Sequence, residues 1–469
     1  MNDKRQNNQK GHRSIYDPQL RLAFASGAAG EAQSTADGRV ESLFPPHEHQ
    51  SPTTPLTVIQ EVLDPENLEA ALAKVQANKG APGIDGMTVK QLPGYLRLYW
   101  PRIKQQLLEG TYKSRPVKRV EIPKPDGGVR KLGIPTVLDR FIQQAVQQVL
   151  TRRWDDTFSS SSFGFRPGKS AHQAVEAAQR HIADGCTWVV DIDLEKFFDR
   201  VNHDRLMARI MQRESDKPLI KLIRSILSSG VMENGLVSPT DEGAPQGGPL
   251  SPLLSNLVLD ELDKELEKRG HQFVRYADDC NIYVRSERAG ERVMEGLGQF
   301  ITGKLKLKVN PSKSAVARPK DRKFLSFSFT SGKKAKRRIA PKAVERFKAK
   351  VRKLTNRHKG QSLRQIVSTL SEYLRGWRGY FGFCQTPSVL KALDEWIRRR
   401  LRSVVLCHWP RGRRRFAELT KRGVGKDLAA QTAGSCHGPW RLSRSPALSI
   451  ALPIRFWDWL GVERALLEG

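Results

Sequence analysis

Cysteine is scarce in this sequence, and the few cysteines are far apart. The chain has five, at Cys186, Cys280, Cys384, Cys407 and Cys436, and no two of them form a Cys-x-x-Cys pair. Zinc ribbons and disulfide frameworks both depend on paired cysteines, so neither is predicted. Scattered cysteines instead indicate a reducing, intracellular compartment.

Long apolar runs are also missing. No stretch of about 18 apolar residues occurs, so a membrane-spanning helix is not predicted. The N-terminus is rich in Lys, Gln and Asn without an apolar core, which distinguishes it from a signal peptide. Residues 1–53 are rich in Gln, Asn, Gly, Ser and Pro, and this composition predicts a mobile tail.

Acidic residues are outnumbered by basic ones, most of all towards the C-terminus. The chain carries 80 Lys and Arg against 49 Asp and Glu, a net charge of +31. Residues 331–469 alone hold 32 Lys and Arg against 9 Asp and Glu. A polyanion is the natural partner of such a chain, and nucleic acid is the expected one. A packaging protein would have the same bulk charge, but it would not need acidic clusters.

One acidic cluster is the pair Asp278 and Asp279. Apolar and aromatic residues surround it over residues 273–284, a pattern that predicts strand, tight turn and strand. Two adjacent carboxylates repel each other, and a bound Mg²⁺ would relieve the repulsion because hard cations prefer carboxylate oxygen. A polar turn without metal is the alternative for an isolated Asp-Asp pair.

A second segment supplies more carboxylates. Residues 187–193 predict a buried strand that ends in Asp191 and Asp193, which share a face because they are two residues apart. Burying two carboxylates is costly unless a cation compensates them. Carboxylates that converge from separate segments are what a two-metal nucleotidyl-transfer site needs.

Several loops carry groups suited to a nucleotide or a nucleic-acid strand. Residues 115–135 predict a hairpin whose Lys124 and Arg130 flank an Asp-Gly turn, a suitable clamp for a triphosphate. An ordinary solvated hairpin is the alternative. In residues 158–170, Arg166 and Lys169 lie among aromatics in a Gly/Ser loop, which suits either gripping a strand or simple packing.

Later segments are assigned from capping and periodicity. Residues 243–252 form a glycine-bearing loop, and Ser251 is expected to cap a helix that runs to about residue 268. Strands are expected at 305–311 and around residues 324–329. Helices are expected at about 341–357, 362–382 and 387–407. An apolar stripe indicates the buried face of the second helix, and its members are Leu370, Leu374, Trp377 and Phe381.

Taken in chain order, these stretches resemble the reverse transcriptase–maturases encoded by group II introns. The matching motifs are residues 83–86, 122–124 with 132–135, 163–168, 193–198, 245–248 with 251–252, 276–279, and 374–377 with 380–381. The set covers roughly residues 55–469. A single short motif matches by accident, whereas an ordered set of this size is highly specific.

The resemblance implies that Asp193, Asp278 and Asp279 carry catalysis and hold two Mg²⁺ ions. Asp193 and Asp278 would be the principal ligands, with Asp279 in support. It also implies contacts to the incoming nucleotide. These would come from Lys124 and Arg130 on the triphosphate, Phe198 as the aromatic that excludes a 2′-hydroxyl, Gln246 on the nucleotide or its pair, and Lys313 as a weaker candidate for a phosphate contact or proton donor.

Candidate contacts to RNA or DNA complete the set of site residues. They are Arg166, Lys169, Arg375, Arg378, Arg411, Arg413 and Arg414.

Two departures from the family pattern are Arg130-Lys131 in place of Arg-Pro and Phe324-Leu325-Ser326 in place of Phe-Leu-Gly. Many relatives end in a cysteine-bearing HNH endonuclease, and this sequence is expected to be a form that lacks it and does not cleave DNA itself.

The resulting prediction is an α+β, right-hand polymerase fold with fingers and a palm of antiparallel sheet and helices. The predicted domains are a tail at 1–53, fingers and palm at 54–330, an α-helical thumb or maturase domain at 331–410 and a basic DNA-binding region at 411–469. The expected enzyme is an RNA-directed DNA polymerase that copies intron RNA, assists its splicing and supports retrohoming. The expected location is the bacterial cytoplasm or nucleoid.

The expected partners are group II intron RNA, a template–primer duplex, target DNA and deoxynucleoside triphosphates. Two alternatives stay open. One is an RNA-binding splicing cofactor with an inactive palm, which the intact aspartates argue against. The other is a reverse transcriptase of a defence or diversity-generating system, which the maturase-like thumb and the basic C-terminal region argue against.

Overall fold

The computed structural model describes Phe24 and residues 56–123, 128–233, 235–238, 242–243, 247–332, 334–356 and 360–465. Phe24 is fully buried, with its ring centroid 5.3 Å from that of Trp100 and 6.2 Å from that of Phe141. The prediction of a mobile tail over 1–53 is therefore wrong for Phe24. The other residues of that range lie outside the described part of the chain.

The N-terminal part combines helices with one hairpin. Its elements are α1 (Val58–Val62), α2 (Pro65–Asn78), α3 (Leu92–Glu109), β1 (Val117–Pro123), β2 (Val129–Ile134) and α4 (Val137–Trp154). Asp64 caps α2 by accepting hydrogen bonds from the backbone N–H groups of Glu66 and Asn67. The predicted hairpin is confirmed, since β1 and β2 are antiparallel with Ile122 opposite Arg130.

The next segment returns to the hairpin. Its elements are α5 (Ala171–Ala183), β3 (Trp188–Ile192), α6 (His203–Arg213), α7 (Lys217–Leu227), β4 (Val231–Glu233) and β5 (Leu236–Ser238). A four-stranded sheet has the order β2-β1-β4-β5, in which β1 and β4 are parallel. This sheet corresponds to the predicted fingers.

A second four-stranded sheet corresponds to the predicted palm. The elements that complete it are α8 (Ser251–Lys268), β6 (Gln272–Tyr276), β7 (Asp279–Val284), α9 (Glu287–Phe300) and β8 (Ala315–Ala317). The strand order is β6-β7-β3-β8, and every neighbouring pair is antiparallel. Ile192 of β3 lies opposite Cys280 of β7, so the residues just beyond them meet at one end of the sheet.

Two local predictions here are wrong. No strand forms at 305–311, because a π-helical turn over Ile301–Leu305 ends at Lys306 with a left-handed φ of 57°. Val309 makes only an isolated bridge to Leu194. Ser251 is the first residue of α8 rather than its cap, because Leu250 takes the N-cap position, and the Leu250 side chain makes no capping hydrogen bond.

The C-terminal part is helical after one small hairpin. Its elements are β9 (Phe327–Phe329), β10 (Arg337–Ile339), α10 (Pro341–Leu354), α11 (Leu363–Phe381), α12 (Pro387–His408), α13 (Gly412–Lys421), α14 (Lys426–Gly434), α15 (Pro439–Leu442), α16 (Pro446–Ala451) and α17 (Ile454–Trp459). The predicted stripe of α11 is confirmed, since Leu370, Leu374 and Trp377 are buried and Phe381 packs against the same core.

Three apolar cores organise the described part of the chain. The largest joins the N-terminal helices, α4, the palm sheet and α8, and the smallest joins α5 and β6 to Phe327 and Phe329 of β9. The second joins α10, α11 and α12 to Leu419, Leu448 and Trp457 of the following helices. The predicted domain boundary between residues 410 and 411 thus falls inside a shared core. Within the described ranges, no helix is both long enough and apolar enough to cross a bilayer.

Candidate active site

Three aspartates lie at one end of the palm sheet. Asp193 follows the last residue of β3, Asp278 lies in the turn between β6 and β7, and Asp279 begins β7. The register of β3 and β7 places Ile192 opposite Cys280, so Asp193 and Asp279 leave the ladder side by side. The convergence of carboxylates from two segments, predicted from the sequence, follows from this pairing.

Mutual repulsion marks these carboxylates. Burial and the negative charges of Asp278, Asp191 and Asp193 together raise the pKa of the Asp279 carboxyl to about 7, and burial is the largest cause. The residue nevertheless keeps an exposed surface, as does Asp278. The cluster is therefore both crowded with negative charge and open to solvent.

Carboxylate oxygens with unrelieved repulsion suit a hard divalent cation. Asp193, Asp278 and Asp279 are the residues that would hold it. In the structure, Lys313 Nζ lies 3.6 Å from Asp193 Oδ1 and supplies positive charge there. Among the described residues, no three His, Cys, Asp or Glu side chains are already arranged around a single metal position.

Asp191 shares a sheet face with Asp193 but has different partners. Arg322 Nε and Nη2 donate to Asp191 Oδ2 at 2.9 and 2.5 Å. The Asn281 amide, oriented to satisfy its neighbours, donates to Asp191 Oδ1 at 3.1 Å. Burial raises the pKa of Asp191, and Arg322 opposes that rise. Protein groups thus compensate Asp191.

A buried ion pair supports the turn that carries the paired aspartates. Arg275 of β6 donates from Nε and Nη2 to both carboxylate oxygens of Asp263 on α8, at 2.7 and 2.6 Å. Its Nη1 donates to the carbonyl of Ala277 at 2.9 Å. Sequence reasoning missed this role, although an arginine among the apolar residues of a buried strand signals a buried acidic partner.

The loop at 158–170 packs against the same turn. A Cβ at Gly164 would lie 2.2 Å from the backbone nitrogen of Ala277, so only glycine permits this approach. The next residue, Phe165, is 53% exposed. An exposed aromatic beside the aspartate turn is suited to stacking on a base, and it was absent from the predicted site residues.

The two cations predicted in this loop differ. The Arg166 guanidinium donates hydrogen bonds only to nearby protein oxygens among those described. They include Asp155 Oδ1 (2.8 Å), Asp155 O (2.7 Å), Ser159 O (2.5 Å) and Ser162 O (3.0 Å). These contacts organise the loop and leave its guanidinium little capacity for nucleic acid. Lys169 instead lies over the Phe163 ring, 5.1 Å from its centroid.

The predicted nucleotide contacts are only partly described. Arg130 is exposed on β2 of the hairpin. Phe198 is half-buried and packs edge-on against Phe197, with centroids 5.2 Å apart. Lys124 and Gln246 lie outside the described residues. Beside the latter position, a Cβ at Gly247 would lie 2.7 Å from the carbonyl oxygen of Gly133, so the glycine loop lies against β2.

The predicted contacts of the C-terminal part fall into two groups. Arg375 and Arg378 of α11 both pair with Glu463, at 3.3 and 3.1 Å. Arg411, Arg413 and Arg414 are exposed around the first turn of α13. The second group is open to a partner, whereas the first already has a carboxylate.

Comparison with known proteins agrees with this arrangement. Residues 122–329 match the family model for reverse transcriptase (RNA-dependent DNA polymerase), and residues 344–423 match the group II intron, maturase-specific domain. These matches assign the chain to the reverse transcriptase class, whose members generally use divalent metal ions. More particularly, the chain belongs to the family of group II intron reverse transcriptase–maturases.

The similar proteins differ in how much of their length matches this chain. Protein YkfC of Escherichia coli is 32% identical over 313 residues, which cover 57% of this chain and 82% of YkfC. The group II intron-encoded protein LtrA of Lactococcus lactis is 37% identical over 204 residues, which cover 43% of this chain but only 34% of LtrA. The match to a solved chain of a partial Cas6-RT-Cas1–Cas2 complex covers 60% of this chain and 50% of the solved chain, at 24% identity and with a TM-score of 0.34.

Proposed function

We propose that this protein is an active RNA-directed DNA polymerase that copies intron RNA into DNA and assists the splicing of that RNA. The observation that carries the polymerase is the convergence of Asp193, Asp278 and Asp279 at one sheet end in a chain of the reverse transcriptase family. The maturase-specific match and the basic C-terminal part support the second role.

Magnesium ions bound by the three aspartates would lower the pKa of an attacking hydroxyl and neutralise charge on the leaving phosphate. The protein's own contribution is to place those carboxylates. The β3–β7 ladder fixes Asp193 and Asp279, and the Arg275 contact to Ala277 fixes the turn that carries Asp278. Positioning and electrostatics account for most of the acceleration in phosphoryl transfer.

The incoming nucleotide would lie between the hairpin and the sheet end. Arg130 on β2 supplies a planar donor set suited to phosphate oxygens, and Lys124 is proposed to add a second charge. Phe198 follows the acidic strand end and is proposed to exclude a ribose 2′-hydroxyl. Gln246 is proposed to contact the nucleotide or its pair.

Nucleic acid would bind through positive charge on the C-terminal part. Arg411, Arg413 and Arg414 are exposed there, and Arg375, Arg378 and Lys169 are retained as proposed contacts. A group II intron RNA, a template–primer duplex and target DNA are the proposed partners. Binding by many basic side chains predicts a steep loss of affinity with salt.

Primer extension on an RNA template tests the polymerase. The wild-type protein with Mg²⁺ is expected to add deoxynucleotides, and Asp278→Ala is expected to abolish addition while leaving RNA affinity unchanged. Asp204→Ala is the matched control, because Asp204 is a 79% exposed carboxylate on α6 and should not affect addition. Synthesis retained by Asp278→Ala would contradict the assignment.

The RNA that copurifies with the protein tests the maturase role. A self-splicing intron, spliced faster in the presence of the protein, is the expected result. Intron binding without any DNA synthesis by the wild type would instead identify a splicing cofactor with an inactive palm. DNA synthesis without any intron RNA would favour a reverse transcriptase of another system.

A further inference from the structure

The turn over residues 310–314 is bound to the strand end that carries Asp193. The Asn310 N–H donates to the Asp193 carbonyl at 2.8 Å, and the Asp193 N–H donates to Ser314 Oγ at 3.0 Å. The turn is itself ordered, because Asn310 Oδ1 accepts from the N–H and the hydroxyl of Ser312, at 3.2 and 2.8 Å. Backbone and side-chain bonds thus hold this turn beside the candidate metal ligand.

Lys313 lies within this turn and faces the acidic cluster. Its Nζ is 3.6 Å from Asp193 Oδ1, and its side chain is 63% exposed. An exposed ammonium in this position can exchange the carboxylate for the phosphates of a bound nucleotide. Whether the ammonium reaches those phosphates depends on where the turn holds the backbone of Lys313.

Arg322 joins that backbone to the sheet. Two of its nitrogens, Nε and Nη2, donate to Asp191 Oδ2 of β3 at 2.9 and 2.5 Å. Nη2 also donates to the carbonyl oxygen of Lys313 at 2.6 Å. One guanidinium therefore binds the strand before Asp193 and the turn after it.

We infer that Arg322 is a positioning residue for nucleotide addition and that it acts through Lys313. This inference rests on the proposed polymerase function. The ion pair with Asp191 anchors the guanidinium, and the bond to the Lys313 carbonyl fixes the place from which the lysine reaches the triphosphate. Displacements of about 1 Å near reacting groups cost up to about 10²-fold in rate, so loss of this bond has a measurable effect.

The competing interpretation is that Arg322 only neutralises Asp191. Arg322→Lys separates the two, because lysine keeps the positive charge but lacks the planar fork that bonds two acceptors at once. Charge compensation alone predicts an unchanged rate for this variant. Positioning through Lys313 predicts a slower maximal rate of single-nucleotide addition on an RNA template, by about 10-fold, with primer–template affinity unchanged.

A double-mutant cycle with Lys313→Ala completes the test. The wild type, both single variants and the double variant are compared in single-turnover addition, well below the lowest of their melting temperatures. If Arg322 acts through Lys313, adding Arg322→Lys to Lys313→Ala slows addition by no more than about 2-fold. The cycle separates this route from a general loss of stability.

Three results would overturn the inference. They are an unchanged rate for Arg322→Lys, an unchanged rate for Lys313→Ala, or effects that multiply in the double variant. Each of these outcomes leaves the proposed polymerase intact as long as the wild type synthesises DNA. A wild type that adds no nucleotide would contradict the proposed function itself.

Discussion

Arg275 and Asp263 form a bidentate ion pair whose side chains have no exposed surface, and Arg275 also donates to the carbonyl oxygen of Ala277, the residue before Asp278. Burial is the main cause that raises the pKa of the Asp263 carboxyl, the charges of Asp260 and Glu267 add to the rise, and the charge and hydrogen bonds of Arg275 oppose it. The pair links helix α8 to the turn that carries Asp278, so two fully buried side chains help to hold that turn in place.

Arg275→Ala is expected to destabilise the fold strongly. Removing one partner leaves the other charge buried and uncompensated, which costs about 3–5 kcal/mol. Chemical denaturation followed by circular dichroism measures the loss. Arg269→Ala is the matched control, because its pair with Glu265 is partly exposed and is worth about 0–1 kcal/mol. Equal losses for the two variants would contradict the account.

Gly164→Ala is expected to lower DNA synthesis sharply. The added Cβ would lie 2.2 Å from the Ala277 nitrogen, so the loop or the aspartate turn must move. Gly298→Ala in helix α9 is the control, because a Cβ there would meet no described atom within 4 Å other than its chain neighbours and the backbone of its own helix. Alanine in a helix interior is expected to stabilise by about 0.5–1 kcal/mol. Extension assays and melting curves on both variants check the prediction.

Glu463→Gln is expected to strengthen RNA binding if the thumb arginines contact RNA. The carboxylate pairs with both Arg375 and Arg378, and RNA phosphates must compete with it. An exposed pair is worth about 0.5–1 kcal/mol, which corresponds to about 2- to 5-fold in affinity. Glu418→Gln is the control, since its partner Arg422 is not among the proposed contacts. Unchanged affinity for Glu463→Gln would remove both arginines from the RNA surface.

Phe198→Ala is expected to raise the incorporation of ribonucleotides relative to deoxynucleotides. The side chain follows the acidic strand end and is only half-buried, so a smaller residue would leave room for a 2′-hydroxyl. Competitive extension with both nucleotide types measures the ratio. Phe197→Leu is the control, because Phe197 is buried in the core. A ratio that stays constant would show that sugar selection lies elsewhere.

The sequence predicted much of this structure because local signals dominate its regular elements. Helix α11 begins and ends within one residue of the predicted bounds of 362 and 382, and helix α12 does the same for 387 and 407. The aspartates could be predicted as metal ligands because carboxylates at the ends of buried strands are costly unless a cation compensates their charge. The order of the motifs then identified the family.

What the sequence did not reveal depends on contacts between distant segments. Arg322 is 131 residues from Asp191, and Glu463 is 85 residues from Arg378. No periodicity encodes such pairs. The strand expected at 305–311 does not form, because a π-helical turn occupies Ile301–Leu305 and the residues after it make only one isolated bridge, between Val309 and Leu194. Arg166 was expected on nucleic acid, but its donors bond its own loop.

The most direct test of the central claim is RNA-templated addition of one deoxynucleotide by Asp193→Asn. Asp193 and the Asp278-Asp279 turn are proposed to form one site, so this change outside the paired aspartates should abolish addition without weakening RNA binding. Asp184→Asn, an exposed carboxylate before the opposite end of β3, should be as active as the wild type. Wild-type rates for Asp193→Asn would contradict the account.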